Sequence, residues 1–302
     1  MKIGIIGLGK MGFPMAENLL EKEFTVVGYD VITESVDTLA TKGAQPASSV
    51  QELCGKLEAP RVILLSLPAS VVDTVLDELK TCLSQGDIII ESGNSFYKDS
   101  QQRAATLREK GICMLDVGIS GGVYAARNGA CCMIGGDREI FDKTEFVFKA
   151  LSWNGSYKYL GKSGTGHLVK GYHNFVEYGY MQALAEGFMT LEKVSEKESL
   201  GINLRDICDI WNNGSIVESR LLDYTKKALE TYGDLATIPG SVKGQTQSEM
   251  EILARIADNM GVSVPACKAA ITFRTQSLAK PSRIGKLLNG MRNMFGGHQE
   301  WK

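Results

Sequence analysis

The sequence predicts a doubly wound α/β domain over residues 1–163, followed by an all-α domain over residues 164–302. Three observations predict it. Short apolar runs alternate with amphipathic stretches through the first half, the pattern of strands joined by crossover helices in a mostly parallel sheet. A glycine turn, Gly7-x-Gly9-x-x-Gly12, follows the first of these runs and opens the first helix. Beyond "YLGKSGTG" this alternation stops and long amphipathic stretches take over, so residues 161–166 read as a hinge between the domains.

"KIGII" is a short buried strand by pattern, and "FTVVGYD" a second one ending in Asp30. Between them runs a helix with Met15, Ala16, Leu19 and Leu20 on its inner face. A bare G-x-G-x-x-G is weak evidence, but between a strand and a helix, with an acid about 20 residues on, it becomes a Rossmann-type dinucleotide fingerprint. Gly7 permits the tight turn, Gly9 lets a pyrophosphate approach the backbone, and Gly12 lets the helix pack close to the strand. Gly7, Leu8, Gly9, Lys10, Met11 and Gly12 therefore form the expected phosphate cradle, with helix N–H groups as donors. The Asp30 carboxylate can accept from the adenosine ribose hydroxyls and would repel a 2′-phosphate. Val31, Ile32 and Thr33 include no arginine to hold one, so NAD is expected over NADP.

The alternation continues through "RVILLSLPA", a strand and turn, and "VVDTVLDELKTCL", an amphipathic helix. "DIIIESGNS" is a strand leading into a loop, "QQRAATLREKG" a helix, "CMLDVGISGG" a strand and loop, and "ACCMIGG" a last apolar strand. Ligands of such sheets sit beyond the C-terminal strand ends. Leu67, Pro68, Asn94 and Ser120-Gly121-Gly122 occupy those ends and are candidate binding residues.

In the second half, "GHLVKGYHNFVEYGYMQALAEGF", residues 166–188, has no proline and has apolar residues at helical spacing. Lys170, His173, Asn174, Glu177 and Tyr178 fall at i, i+3, i+4, i+7 and i+8, one stripe of that helix, with Val169, Tyr172, Val176 and Leu184 opposite. Amphipathic helices ordinarily turn such a stripe to water. A solvated face usually repeats Glu, Lys and Gln, whereas this one sets out five different chemistries. "LRDICDIWNNGSIVESRLLDYTKKALE" reads as two helices broken near Asn213-Gly214. "SEMEILARIADNMG" and "PACKAAITFRTQSLA" read as two more, and "SRIGKLLNGMRNMFGGHQEWK" ends the chain.

Composition bounds the rest. The 302 residues are 44% hydrophobic and 23% charged, enough for sizeable cores in a globular chain. A formal net charge of −2 provides no general field for nucleic acid, so an anionic ligand must be held by local cations. No apolar run approaches the ~20 residues of a membrane span, and the N-terminus does not read as a secretory signal. Seven cysteines without a C-x-x-C pair read as reduced thiols in a cytoplasmic protein. Three histidines outside any dense cluster predict no metal site.

Taken together, the motifs carry a resemblance. "GLGKMGFPMAENL" resembles the opening of the β-hydroxyacid dehydrogenase superfamily, and "DVGISGGVYAARNGACCMIGG" its substrate loop. "KGYHNFVEYG", "ESGNSFY" and the tail "RNMFGGH" resemble one branch, the decarboxylating 6-phosphogluconate dehydrogenases, and the length fits its short bacterial form. Relatives acting on smaller hydroxyacids tend to carry an Asn pair where this chain has His173-Asn174, and lack an acid matching Glu177. The resemblance implies oxidation of a sugar acid at the hydroxyl β to its carboxylate, then loss of CO₂. It makes Lys170 the base and then the donor to the enolate oxygen, which requires burial or nearby cations to favour the neutral amine. Glu177 becomes the acid that protonates the carbon, with His173 and Asn174 orienting the substrate. Asn94, Ser120, Gly121 and Gly122 would bind its carboxylate and hydroxyls, and Tyr178 its phosphate, with Arg274 and Arg283 as less direct phosphate candidates. Arg292 and His298 match a tail pair that enters the neighbouring subunit's site, implying a homodimer or homotetramer. The family's Gly-(Lys/Arg)-Trp-Thr segment is altered here to "VKGQTQSEM", with Gln245 at the basic position and Lys243 as a substitute. That departure leaves open a related acid with a sulfonate or another head group. A non-catalytic NAD(H) sensor is the reading outside enzymology, opposed by the intact Lys170, Asn174 and Glu177 set.

Overall fold

The computed structural model describes residues 1–242 and 247–297. The chain divides into two compact units, Met1–Gly171 and Tyr172–Lys302. In the first, the strands are β1 (Lys2–Ile6), β2 (Thr25–Tyr29), β3 (Gln45–Pro46), β4 (Val62–Leu65), β5 (Ile88–Glu91), β6 (Cys113–Ser120), β7 (Ala130–Gly135) and β8 (Ser152–Gly161). Among the described residues they form one eight-stranded sheet in the order β3-β2-β1-β4-β5-β6-β7-β8. Every neighbouring pair is parallel except β6 and β7. The interleaved helices are α1 (Gly12–Glu21), α2 (Thr33–Thr41), α3 (Val50–Gly55), α4 (Ala69–Cys82), α5 (Tyr97–Arg108), α6 (Gly122–Asn128) and α7 (Arg138–Leu151).

Side chains alternate across a strand, and both faces of this sheet are covered. Ile3, Ile5, Leu64, Ile88 and Ile90 join one buried cluster with residues of α1 and α7. Ile63, Leu65 and Ile89 join another with residues of α3, α4 and α5. Burial on both sides is why the strands read as continuous apolar runs. The doubly wound α/β architecture is as expected, with two strands, and the helices α2, α3, α6 and α7, that the sequence reading did not name. β3 is only two residues long. β8 lies at the sheet edge opposite β3, and its sequence "SWNGSYKYLG" is largely exposed, with Tyr157 and Tyr159 set against Phe141. An edge strand covered on few sides needs no apolar alternation, so none betrays it.

The second unit is helical. α8 (Thr165–Glu198) starts in the first unit and continues into the second, followed by α9 (Leu204–Trp211), α10 (Arg220–Tyr232), α11 (Gln247–Asn259), α12 (Pro265–Ser277) and α13 (Arg283–Gly296). Met181, Phe188, Leu222, Leu229, Leu287 and Met291 are central to its core. Side-chain caps start three of these helices, from Asn203 to the Arg205 N–H, Ser219 to the Leu222 N–H and Ser282 to the Gly285 N–H. The break near Asn213-Gly214 falls between α9 and α10, as expected.

The segment read as a hinge is clamped. Asp116 of β6 is 1% exposed, and its carboxylate accepts from the Gly164 N–H at 2.7 Å and the His167 N–H at 3.0 Å. These donors lie at the start of α8, where a helix has no intrahelical acceptors for its N–H groups. Backbone packing tightens the junction. A Cβ on Gly118 would collide with the Lys170 Cβ and lie 2.9 Å from the Gly166 carbonyl oxygen. One on Gly166 would collide with the Asp116 carbonyl oxygen. The first turn of α8 is thereby part of the first unit, and the division falls inside the helix, beyond the expected 163/164 boundary.

Gly118→Ala should therefore lower stability by about 1–3 kcal/mol, the usual range for overpacking. Gly187→Ala is the matched control on α8: its Cβ meets nothing within 4 Å, and it should stabilise by up to ~1 kcal/mol through helix propensity. Urea midpoints of the two variants measure the contrast, and equal midpoints would contradict the close contact at Gly118.

Candidate active site

The glycine turn lies at the C-terminal end of β1, between Ile6 and α1. Gly7 has φ +93°, a left-handed value that a side chain would strain, and a Cβ there would collide with the Ser66 carbonyl oxygen. A Cβ on Gly12 would collide with the Gly7 carbonyl oxygen, so α1 sits directly on the turn. Gly9 is different: a Cβ on it meets nothing within 4 Å, and both Gly9 and Lys10 are exposed. Open backbone at the middle glycine, beside the N-terminus of α1, suits a pyrophosphate. The Asp30 carboxylate accepts from the Leu8 N–H at 2.6 Å and the Ile32 N–H at 2.8 Å. It thus ties the end of β2 to the turn, while its oxygens keep further lone pairs for a ribose hydroxyl. These residues fit a dinucleotide; Val31 and Ile32 beside them are exposed.

The other first-unit candidates share this edge, because β1, β4, β5 and β6 run parallel. Leu67 and the exposed Pro68 lead from β4 into α4. A Cβ on Gly93 would collide with the Leu67 carbonyl oxygen, so the loop after β5 lies against the loop after β4. Asn94 is exposed and has φ +55°. Ser120 ends β6, and Gly121 and Gly122 follow with φ +116° and +69°, two left-handed residues in succession at the start of α6. Loop glycines are required here by backbone conformation as well as by any ligand.

On α8 the polar stripe is the sheltered side. Lys170 is 8% exposed and Tyr178 6%, and the His173 and Glu177 side chains are 37% and 23% exposed. Val176, from the opposite side, is 64% exposed. Leu184, expected opposite, is fourteen residues after Lys170 and so falls on the stripe's own side, where it is buried in the second-unit core. A solvated charged face would show the reverse arrangement. Within the stripe, His173 Nδ1 is 3.2 Å from Asn174 Oδ1 and 3.7 Å from Glu177 Oε2. Lys170 and Glu177 are seven residues apart on a continuous helix, about 10 Å along its axis.

Tyr178 belongs to a second cluster, within the helical unit. Arg274 of α12 is 2% exposed, with its guanidinium carbon 3.3 Å from the Tyr178 ring centroid. Its Nε and Nη2 have no hydrogen-bond partner among the described residues. Burial pulls its pKa down to about 10; Tyr178 and Glu177 oppose that shift and the like charge of Arg292 adds to it. Arg292 is 7% exposed inside α13, donating to Asn289 Oδ1 at 3.3 Å. Arg283, the other arginine named for the phosphate, is occupied: its guanidinium pairs with the Glu192 carboxylate and donates to the Asp234 carbonyl. His298, Lys243 and Gln245 lie outside the described residues.

Sequence reading passed over three buried charged or titratable residues beside these candidates: Glu91 at the end of β5, Asp116 within β6, and His167 on α8. Two of them carry a visible signal, an acid set in an apolar strand run ("IIIES", "MLDVG"). Such an acid is buried unless the strand is at an edge, and a buried acid needs partners.

Comparison with known proteins agrees with this layout. Residues 2–161 match the family model described as the NAD binding domain of 6-phosphogluconate dehydrogenase, and residues 183–300 match its C-terminal domain. YqeC of Bacillus subtilis is 37% identical over 298 residues, 99% of this chain and 98% of that protein. The NAD(+)-dependent, decarboxylating 6-phosphogluconate dehydrogenase of Haloferax volcanii is 33% identical over 302 residues, again 99% and 98%. The solved 6-phosphogluconate dehydrogenase of Plasmodium falciparum superposes with a TM-score of 0.81 at 28% identity, over 93% of this chain and 62% of that one. A 3-hydroxyisobutyrate dehydrogenase from Salmonella typhimurium shares the fold, with a TM-score of 0.76 at 23% identity over 96% of this chain and 99% of that one. With both units matched and relatives aligned from end to end, the chain belongs to the 6-phosphogluconate dehydrogenase family.

Proposed function

We propose that this chain is an NAD-preferring, decarboxylating 6-phosphogluconate dehydrogenase, making ribulose 5-phosphate, CO₂ and NADH. The observation that carries the reading is the stripe of α8, where a buried lysine and a buried phenol flank a half-buried imidazole, amide and acid. Bound NAD would accept the hydride; the Gly7–Gly12 turn and Asp30 hold it. Lys170 takes the proton of the hydroxyl β to the carboxylate as the hydride leaves the same carbon. The β-keto acid then loses CO₂, its bonding electrons passing into the ketone, and the Lys170 ammonium hydrogen-bonds the developing enolate oxygen. Glu177 protonates the carbon that lost CO₂. His173 and Asn174 orient the hydroxyl and carbonyl groups, and Asn94 and Ser120–Gly122 hold the carboxylate end. Arg274, buried, stacked on Tyr178 and with its Nε and Nη2 unpartnered among the described residues, receives the terminal anion, with Arg292 adding positive charge.

One observation favours a second reading with the same chemistry and a different head group. The segment that reads Gly-(Lys/Arg)-Trp-Thr in the family reads Gly-Gln-Thr-Gln at residues 244–247, which leaves less fixed charge for a dianionic phosphate and suits a sulfonate or another monoanion.

A panel of sugar acids, phosphorylated, sulfonated and unmodified, assayed for NADH and CO₂ together, separates the two. The phosphorylated acid should give both products one-to-one with the lowest KM. Arg274→Met should raise that KM about 10- to 100-fold, the ~1.5–3 kcal/mol of a hydrogen bond to a charged group. NADH without CO₂ from the best substrate would remove the decarboxylase assignment.

Lys170→Met keeps the packing against Gly118 and should bind NADH normally while losing turnover by ~10²-fold or more. Glu177→Gln should slow ketose release by ~10²–10⁴-fold and hydride transfer by less. Single-turnover NADH formation beside ketose release measures both, and near-normal turnover of Lys170→Met would return the stripe to a structural role.

For the cofactor, kcat/KM for NAD should exceed that for NADP by at least about tenfold, or ~1.4 kcal/mol. Asp30→Asn removes the charge, keeps an acceptor for a backbone N–H, and should narrow the gap. Equal use of both cofactors by the unaltered protein would contradict the role given to Asp30.

A further inference from the structure

Beneath the Asn94 loop lies a buried charged cluster that the proposed chemistry does not use. Glu91 is fully buried, and its Oε1 accepts from the Gly93 N–H at 2.6 Å. Its Oε2, with no hydrogen-bond partner among the described residues, stands 3.7 Å from Arg103 Nη1 and 3.7 Å from His167 Nδ1. Arg103 donates to the Ser95 hydroxyl at 2.7 Å and forks the Asp73 carboxylate at 2.6 and 2.9 Å. His167 Nδ1 is 2.7 Å from the Ser100 hydroxyl, and the His167 N–H is the donor held by Asp116. The cluster therefore grips both neighbours of Asn94, Gly93 through Glu91 and Ser95 through Arg103. It also grips α8 one residue short of a full turn before Lys170.

We propose that Glu91 and His167 are positioning residues that set the Asn94 loop and the Lys170 turn in register with each other. Asn94 sits in a left-handed conformation, which persists when its surroundings over-determine it. Glu91 is the shared element: its one carboxylate fixes the Gly93 amide and faces both the Arg103 guanidinium and the His167 ring. A buried carboxylate is strongly unfavourable alone, so loop, arginine and imidazole are held around it together, and displacement of one is felt by the others. The consequence for catalysis rests on the roles proposed above for Asn94 and Lys170; the coupling between the two segments does not.

Amide hydrogen exchange of the full-length protein with saturating NADH reads the coupling without turnover. His167→Leu removes the ring, His167→Asn keeps a polar atom for the Ser100 hydroxyl, and Glu91→Gln keeps the shape while removing the charge and turning one acceptor oxygen into an NH2 donor. In His167→Leu, exchange of residues 92–96 should accelerate about tenfold or more, although the substitution is on α8. In Glu91→Gln, exchange of residues 165–171 should accelerate likewise, which keeps the test available should His167→Leu fail to fold. Turnover of the best sugar acid should fall about 10- to 100-fold, the scale of a sub-ångström to ångström misplacement, with KM for NAD within about twofold. His167→Asn should recover part of the loss. Folded variants whose exchange changes only beside the substitution overturn the proposal. If the unaltered protein turns over no sugar acid, the proposed function falls and the exchange measurement alone decides the coupling.

Discussion

The grip of Asp116 on the first turn of α8 is the contact on which the arrangement depends. Helix N-termini leave N–H groups without acceptors, and each one buried unpaired costs about 1–3 kcal/mol. Asp116 takes two of them, from Gly164 and His167. Its negative charge also meets the positive end of the helix dipole, a term of up to ~2 kcal/mol in partly buried settings. Against this stands the burial of a carboxylate, which is several kcal/mol unfavourable before its hydrogen bonds are made. The opposing terms are similar in size, so the contact is better understood as a locator than as a source of stability. It sets where α8 begins on the sheet, and the backbone contacts of Gly118, Gly135 and Gly166 remove the slack.

α8 continues past Gly171 into the helical unit. Lys170 lies where its Cβ meets the backbone of β6, the strand that ends in Ser120. Within α8, His173, Asn174, Glu177 and Tyr178 keep the rise and rotation of an α-helix with respect to one another. The helix exposes Val176 and shelters the polar stripe, the opposite of the arrangement that hydration would choose. Such an inversion is sustained by packing elsewhere along the same helix, where Met181, Leu184, Ala185 and Phe188 are buried in the helical core.

The helical unit stores a different tension. Arg274 is buried on a tyrosine face with a second arginine near, and its lowered pKa still leaves it cationic at neutral pH. The Arg274 charge is disfavoured by desolvation and by the like charge of Arg292. An anion of the right size would relieve both terms at once, so the feature that destabilises the free protein is the one that favours a charged ligand under the proposed function. Arg283, by contrast, has its charge matched by Glu192 and carries no such tension.

Much of this was determined by the sequence alone. The glycine turn, Asp30 and the strand–helix alternation state the fold and the cofactor edge, because φ restrictions and a two-residue strand period act locally. The i, i+3, i+4 spacing of Lys170, His173, Asn174, Glu177 and Tyr178 places them on one stripe by helix geometry. What spacing could not decide is which way that stripe faces; only packing against distant residues turned it inward. The same holds for the apparent hinge, which glycines and a serine suggested and which Asp116, about 50 residues earlier in the chain, clamps. It holds again for Arg274 and Arg283, alike in sequence, one left with open N–H groups and one neutralised by Glu192 on another helix. Edge strand β8 was illegible because an exposed strand need not alternate. Local conformational rules are written in neighbouring residues, whereas burial and charge pairing are settled between residues far apart, and only the folded chain brings those together.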